Sequence, residues 1–546
     1  MIILLIYSVV ARFITSLYSI RFDKHVMEVD GACFFDVGKA IFDGKILYKE
    51  VFDHKTPYIY FINGIASLID FNHIGLFIIE VLVLFISIYF IYKFLHLYFE
   101  NTFLERSNLD IINLLSMIGS FFMATIFSLR NISFGYSRTE SFAVAFLMIA
   151  NYISYRYFFV ETDIKEQKNK MFIIGLLAGL TFMTNIKAAI LFVPIAISVL
   201  IINVKKKNYK LIVRHFVLGL AGVVVSVLPY IIYVILTDSF LDMKYALIDT
   251  NLAYARSKVA MDVVRADGIL HYDPKDGVIA TIMAFTVMNP ITMILIYISF
   301  IPMLIFKYNP YLKLTVVLQY VFAFLYIMLG GRLHTYYIYI MLPSVLFLYI
   351  FVVHIVMRYV KKNTSTIKSG QNNIDDEKIS NDYLIKTKVK NKLYAIILLS
   401  SAILTILISA FINVPTLNKL VYNHISRSTR MQKIVSSYKN YTDDIKVLAV
   451  GFSPEVYVYL DADIKYKYFI TPSISYKEDR TGYIAQYNYI AKNDPDIIVI
   501  SEYQSLHGFP NDLKNQIMYI LSTSYSLLGE VTTNANDGSY FIYSKN

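Results

Sequence analysis

Residues 30–60 read DGACFFDVGKAIFDGKILYKEVFDHKTPYIY and stand directly behind a first apolar run, MIILLIYSVVARFITSLYSI (residues 1–20). Asp30, Asp36, Asp43, Asp53, His54 and Lys55 crowd into this interval, while the sequence on either side is greasy enough to enter a bilayer. One reading is a solvated connector whose charges are idle. The other is chemistry on a polar substrate brought to the membrane surface, because ionisable groups at membrane level are costly without a partner and read as functional by default.

Composition sets the class around this interval. Of 546 residues 56% are hydrophobic and only 17% charged, well under the roughly 25% of soluble domains. Apolar runs recur at the length of about 20 residues that a helix needs to cross the hydrocarbon core, and they do not alternate as barrel strands do. The chain therefore reads as a polytopic α-helical membrane protein. The single cysteine, Cys33, excludes a disulfide framework and a cysteine-based metal cluster. The net charge of +11 gathers in short connections such as KKKNYK (residues 205–210) and in the insert 358–392. That is orientation by cytoplasmic positive charge rather than a nucleic-acid footprint.

Spans are predicted near 1–20, 72–98, 110–129, 139–160, 171–186, 188–204, 213–236, 279–306, 314–330, 335–357 and 393–412, about eleven in all. The first lacks a basic n-region and a cleavage site, so it reads as an uncleaved span, with a few residues expected before it. The charge rule places the N-terminus in the cytoplasm and the loops 21–57, 130–138 and 237–278 outside. The loop 237–278 spaces apolar residues helically around Tyr245, Leu247, Leu252 and Val259, which fits an interfacial amphipathic helix or an ordinary solvated loop. The insert 358–392 reads as a flexible cytoplasmic linker. The chain divides at 412: residues 1–412 form the membrane part. In 413–546 apolar runs shrink to strand length (446–452, 496–501, 539–544) between helical stretches, a small extracytoplasmic α/β domain. Gly451 opens either an anion-binding helix start or a plain strand-to-helix turn.

Under this topology polar residues gather at external span ends: Asp30; His54 and Lys55; Arg138 and Glu140; Lys187; and Arg332, His334, Tyr336 and Tyr337. Each taken singly also fits a side chain snorkelling to the headgroups.

The interval 29–63 resembles the first external loop of bacterial GT-C-fold membrane glycosyltransferases, the family 39-like and protein-mannosyltransferase-like enzymes related to lipid A aminoarabinose transferases. The matching positions are Asp30, Gly38, Gly44, Tyr48, Asp53, His54, Lys55 and Pro57. SRTESFAVAF (137–146) resembles the family's acidic entry to the fourth span, with Glu140. GLLAGLTFMTNIKAAI (175–190) resembles its glycine-rich hairpin, with Lys187. GGRLHTYYIYIMLPSVLF (330–347) resembles its His/Tyr-then-Pro entry. The chain departs from the pattern at Gly31, where relatives often carry Glu, and at Thr56, where several carry Gly.

The resemblance implies transfer of a sugar from a polyprenyl-phosphate donor to a lipid, glycan or protein at the outer face of a bacterial cytoplasmic membrane. Asp30 is then the base that takes the acceptor's proton. Lys55, Arg332 and His334 bind the departing phosphate, and Glu140 orients the acceptor, supports Asp30 or shares a divalent cation (Mg or Mn) with it. Asp53, His54, Arg138, Lys187 and Tyr336 support the site, with Asp53 and His54 shaping the loop, while Asp36 and Asp43 face solvent. A transporter or flippase of lipid-linked sugars and an O-antigen-type polymerase remain the competing readings; a transporter would place its ionisable groups near mid-membrane and show repeated halves.

Overall fold

The computed structural model describes the chain except residues 70–71, 103–108, 137, 161–166, 168, 257–260, 266–267, 273–276, 306–308, 330–332, 369–378, 439–443, 502–505 and 533–538. Helix α1 (Ile2–Thr15) leads to α2 (Val29–Phe42) and α3 (Pro57–Ser67), so the polar interval between the first two apolar runs is itself largely helical. The bundle continues through α4 (Ile74–Thr102), α5 (Leu109–Phe127), α6 (Thr139–Ser154), α7 (Lys170–Thr184), α8 (Val193–Lys205) and α9 (Tyr209–Leu236). It is completed by α10 (Gly277–Met288), α11 (Pro290–Ile305), α12 (Pro310–Leu329), α13 (Val345–Lys368) and α14 (Ile379–Val435).

Among the described residues eight helices are long and apolar enough to cross a membrane, and a ninth if α10 and α11, bent by 120°, form one span. Helices α1 and α7 are apolar but shorter; 14 or 15 residues rise only about 22 Å, less than the ~30 Å hydrocarbon core. All eleven predicted spans coincide with helices. Two enter through 3-10 turns, Ile186–Phe192 before α8 and Thr335–Ser344 before α13.

Two other expectations change. The insert 358–392 is entered by helix from both sides, α13 to Lys368 and α14 from Ile379. Residue 413 is no break either, because α14 runs through it to Val435 before the first strand of the C-terminal sheet. After a short hairpin in the 237–278 connection, β1 (Met261–Arg265) with β2 (Gly268–Tyr272), that sheet comprises β3 (Val447–Val450), β4 (Ile497–Ser501), β5 (Tyr525–Val531) and β6 (Tyr540–Lys545). Its order is β3-β4-β6-β5, with β3 and β4 parallel and the other pairs antiparallel. Gly451 has φ +111° and its N–H donates to Thr471 Oγ1 (2.9 Å), so it makes a turn.

An apolar cluster through the bundle includes Leu95, Phe121, Phe127 and Leu342. A second joins Val37, Tyr48 and Tyr60 of the polar interval to Val447, Tyr457 and Ile497 of the α/β unit. The interval and the sheet are thus two sides of one core at one end of the bundle.

Candidate active site

Helix α2 begins at Val29 and carries Asp30 in its first turn, with Glu28 as its N-cap. Arg138 occupies the N-cap of α6 and Glu140 its first turn, where the helix dipole favours a carboxylate. Arg138 binds both acids of the α2 start: Nη1 lies 2.8 Å from Asp30 Oδ2 and Nη2 lies 3.1 Å from Glu28 Oε2. Its guanidinium is boxed by the rings of Phe134, Tyr136 and Tyr336 at 4.5, 4.7 and 3.9 Å. Burial works against the Arg138 charge, but Tyr136, Asp30 and Glu28 outweigh it and hold the pKa above its ordinary value. Burial pushes the Glu28 carboxyl up to about 7 in spite of Arg138 and Arg130. A Cβ at Gly31 would stand 2.5 Å from the Tyr18 hydroxyl, so a larger residue there requires that ring to shift. Glu28 supplies the second carboxylate beside Asp30.

Asp53 organises the loop before α3. It accepts hydrogen bonds from the backbone N–H of His54 (2.8 Å) and the hydroxyl of Tyr60 (2.6 Å), and its Oδ1 is 3.1 Å from His54 Nδ1. Burial tends to raise its pKa, yet the bond and charge of His54, with Lys55 and Tyr60, keep it below the usual carboxylate range. The loop is closed by the Tyr48 hydroxyl donating to Lys55 O at 2.5 Å. Burial disfavours the Lys55 ammonium, but Tyr254, Asp30, Asp53 and Glu140 hold its pKa above the ordinary lysine value.

Glu140 is 3% exposed and bonded at both oxygens. Oε1 accepts from the Tyr326 hydroxyl (2.6 Å) and Asn185 Nδ2 (3.2 Å), and Oε2 from Thr139 Oγ1 (3.0 Å). Asn185 Oδ1 also accepts from Ala188 N (3.2 Å), which starts the 3-10 turn and points Lys187 over the rings of Tyr326 (4.9 Å) and Tyr337 (4.2 Å).

These groups line one cavity of about 240 Å3: Asp30, His54, Lys55, Arg138, Glu140, Asn185, Lys187, Tyr336 and Tyr337, roofed by Leu247, Asn251 and Tyr254 from the 237–278 connection. That connection is helical over residues 240–256, with Phe240, Leu241, Ile248 and Leu252 exposed on its outer side. Of the two readings of this stretch, it is helix rather than an irregular loop over 240–256, and it covers the site; Val259 lies outside the described residues. His334 does not line the cavity; it stacks on Tyr336 (5.0 Å between ring centres) and meets the Tyr254 hydroxyl at 3.4 Å, so it stands behind two lining residues. Arg332 lies outside the described residues. Asp36 is the clear correction. It is buried, not solvated, because α2 packs it against the α/β unit, facing a separate groove with Lys39, Asp463 and Lys465. Burial there pushes its carboxyl well above the usual range. Asp43 is exposed as expected. Asn185, Tyr326, Asn251, Tyr254 and Glu28 are additions that the sequence does not single out.

The donor set does not suit a divalent cation. Asp30 shares an arginine with Glu28, both oxygens of Glu140 are bonded, and among the described residues no three His, Cys, Asp or Glu side chains are grouped to hold a metal. The site is instead rich in cations. Among the described residues no carboxylate lies within ion-pair distance (4.0 Å) of Lys55 or Lys187. Asp30 Oδ1 accepts no hydrogen bond from the described residues, and its side chain keeps 24% exposure.

No protein-family model matches the sequence, and no curated protein resembles it. Among solved structures, ArnT from Cupriavidus metallidurans bound to undecaprenyl phosphate matches with a TM-score of 0.62 at 10% identity, over 100% of this chain and 96% of that one. The protein has the GT-C fold. The same ArnT in its apo state matches with a TM-score of 0.58 over the same shares. An oligosaccharyltransferase from Archaeoglobus fulgidus follows at 0.46 and 11% identity, covering 73% of that chain. At such identities the likeness is one of backbone architecture, so the chemistry of this GT-C chain rests on its own side chains.

Proposed function

We propose that this protein is an integral-membrane glycosyltransferase. It would move a sugar from a polyprenyl-phosphate donor to a hydroxyl of a lipid, glycan or protein acceptor, at the outer face of a bacterial cytoplasmic membrane. On this reading the N-terminus is cytoplasmic and the α/β unit extracytoplasmic. The observation that carries the proposal is the pairing, in one cavity, of two lysines with no carboxylate in ion-pair distance and one carboxylate, Asp30, whose Oδ1 accepts no hydrogen bond, both among the described residues. Ammonium groups at membrane level are expensive without a contacting counter-charge, and a phosphate ester would supply one to both lysines. The GT-C neighbour ArnT binds undecaprenyl phosphate, a ligand of that chemistry.

In this reading the acceptor oxygen attacks the anomeric carbon while its proton passes to Asp30 Oδ1. The anomeric C–O bond breaks on the opposite face, and its electron pair leaves with the phosphate, so configuration inverts in one displacement. Lys55 and Lys187, with Arg332 as a third cation on sequence grounds, stabilise the charge that builds on the leaving phosphate. Arg138 and Glu28 orient Asp30. Glu140, with both oxygens bonded, aims Asn185 and the Tyr326 hydroxyl instead of accepting the proton.

The test is binding of undecaprenyl phosphate to the purified protein in detergent. Lys55→Ala and Lys187→Ala are each expected to weaken it about tenfold, the worth of one charge-assisted contact, with thermal stability unchanged. A wild-type protein that ignores undecaprenyl phosphate, or a double variant that binds it equally well, defeats the reading.

A further inference from the structure

The roof of the cavity is held from outside the bundle. Residues 240–256 turn three ways, through Phe240–Lys244, a π-helical turn Tyr245–Asp249 and Thr250–Arg256. Their outer apolar side chains, Phe240, Leu241, Ile248 and Leu252, are exposed, while Met243, Tyr245, Ala246 and Leu247 pack on the core shared by the polar interval and the sheet. On the inner side Asn251 Nδ2 donates to His54 O (2.8 Å), and the ring of Tyr254 lies 5.1 Å from that of His54. Lys55 Nζ sits 5.9 Å from the centre of the Tyr254 ring.

Beyond Asn251 and that apolar packing, two polar tethers of the roof come from one stretch of the α/β unit. Lys467 Nζ is 2.6 Å from Asp242 Oδ1, with both side chains about a quarter exposed. The Tyr245 hydroxyl donates to Asp479 Oδ2 at 2.5 Å. The ring of Phe52 packs against Tyr468 (4.8 Å) and Tyr245 (5.7 Å), and the N–H of Phe52 donates to Lys467 O at 3.0 Å. The same stretch therefore grips the roof segment and the loop that bears Asp53, His54 and Lys55.

We propose that the α/β unit latches the 240–256 segment over the cavity, with Lys467 and Asp479 as positioning residues that act through Asp242 and Tyr245 on Asn251 and Tyr254. The ligand involved is the polyprenyl-phosphate headgroup, so this inference rests on the reading given above. A loosened latch leaves the closed roof only fractionally populated. Ligand affinity then falls by that fraction, while the chemistry in the closed state is untouched.

The experiment compares wild type with Lys467→Asp, Asp242→Lys and the swap Asp242→Lys/Lys467→Asp, each purified as the full chain in detergent. Two quantities are read: amide hydrogen exchange over residues 245–256 without ligand, and affinity for undecaprenyl phosphate. The single variants are expected to exchange faster in that window alone and to bind about fivefold more weakly. The swap is expected to restore both. Exchange at the wild-type rate in both single variants overturns the latch, as does a swap no better than its parents. A purely structural defect would raise exchange across the sheet and would not be rescued by reversed charges. Should the wild type fail to bind undecaprenyl phosphate, the donor reading fails, while faster exchange in the singles and its reversal in the swap still establish the latch.

Discussion

Arg138 is the residue on which the chemistry turns, because it divides one guanidinium between Asp30 and Glu28. When Glu28 is ionised it competes with Asp30 for that charge. Burial pushes the Glu28 carboxyl up to about 7, so below that pH a protonated Glu28 leaves Arg138 to pair with Asp30 alone and ties up the carboxylate that receives the proton. Turnover in wild type is therefore expected to rise with pH through about 7. Glu28→Gln is expected to flatten that limb at the low level, and a pH–rate profile with the limb intact in Glu28→Gln would refute this assignment. Asp30, Lys55, Arg138, Glu140 and Lys187 were legible because a charge stands out against apolar sequence. Asn185, Tyr254 and Tyr326 were not, since neutral polar side chains offer no such contrast in a chain with 46 tyrosines. Asp36 was misread because what buries it is packed against α2 from more than 400 residues downstream, including the Tyr457 and Ile464 neighbourhood.

At the scale of elements, α2 and α3 hold Asp30 and Asp53 in register by crossing at bare backbone. A Cβ on Gly38 would sit 2.5 Å from Gly64 N and 2.6 Å from Tyr60 O. Those neighbours are main chain and cannot rotate aside. Gly38→Ala gains up to about 1 kcal/mol of helix propensity but forces the helices apart at a cost of about 1–3 kcal/mol. The net expectation is a lower melting temperature together with reduced turnover; a variant that melts higher than wild type would contradict the crossing. The spans were readable because each is a long apolar run. Strand β5 was not, because Tyr525–Val531 follows its helix with no turn residue and carries a mixed burial pattern. The 240–256 segment showed its helical spacing in sequence, yet its role as a roof depends on partners at Lys467 and Asp479.

At the scale of the whole molecule, the GT-C bundle, the polar interval and the α/β unit meet around one cavity, and two shared clusters make them a single packed body at that end. The cationic lining of that cavity implies that phosphate charge is met by side chains. Chelation with EDTA is accordingly expected to leave sugar transfer unchanged, and added Mg2+ or Mn2+ to give no increase; a strict metal requirement would send Asp30 and Glu140 back to the role of ligands. The most direct measurement of the central claim uses protein reconstituted in liposomes with an undecaprenyl-phosphate-linked sugar, following release of undecaprenyl phosphate by mass spectrometry. Asp30→Asn is expected to slow release by about a thousandfold, as removal of a positioned base does, and Glu140→Gln to slow it far less. Release by Asp30→Asn at the wild-type rate, or a deeper loss in Glu140→Gln, would contradict the account.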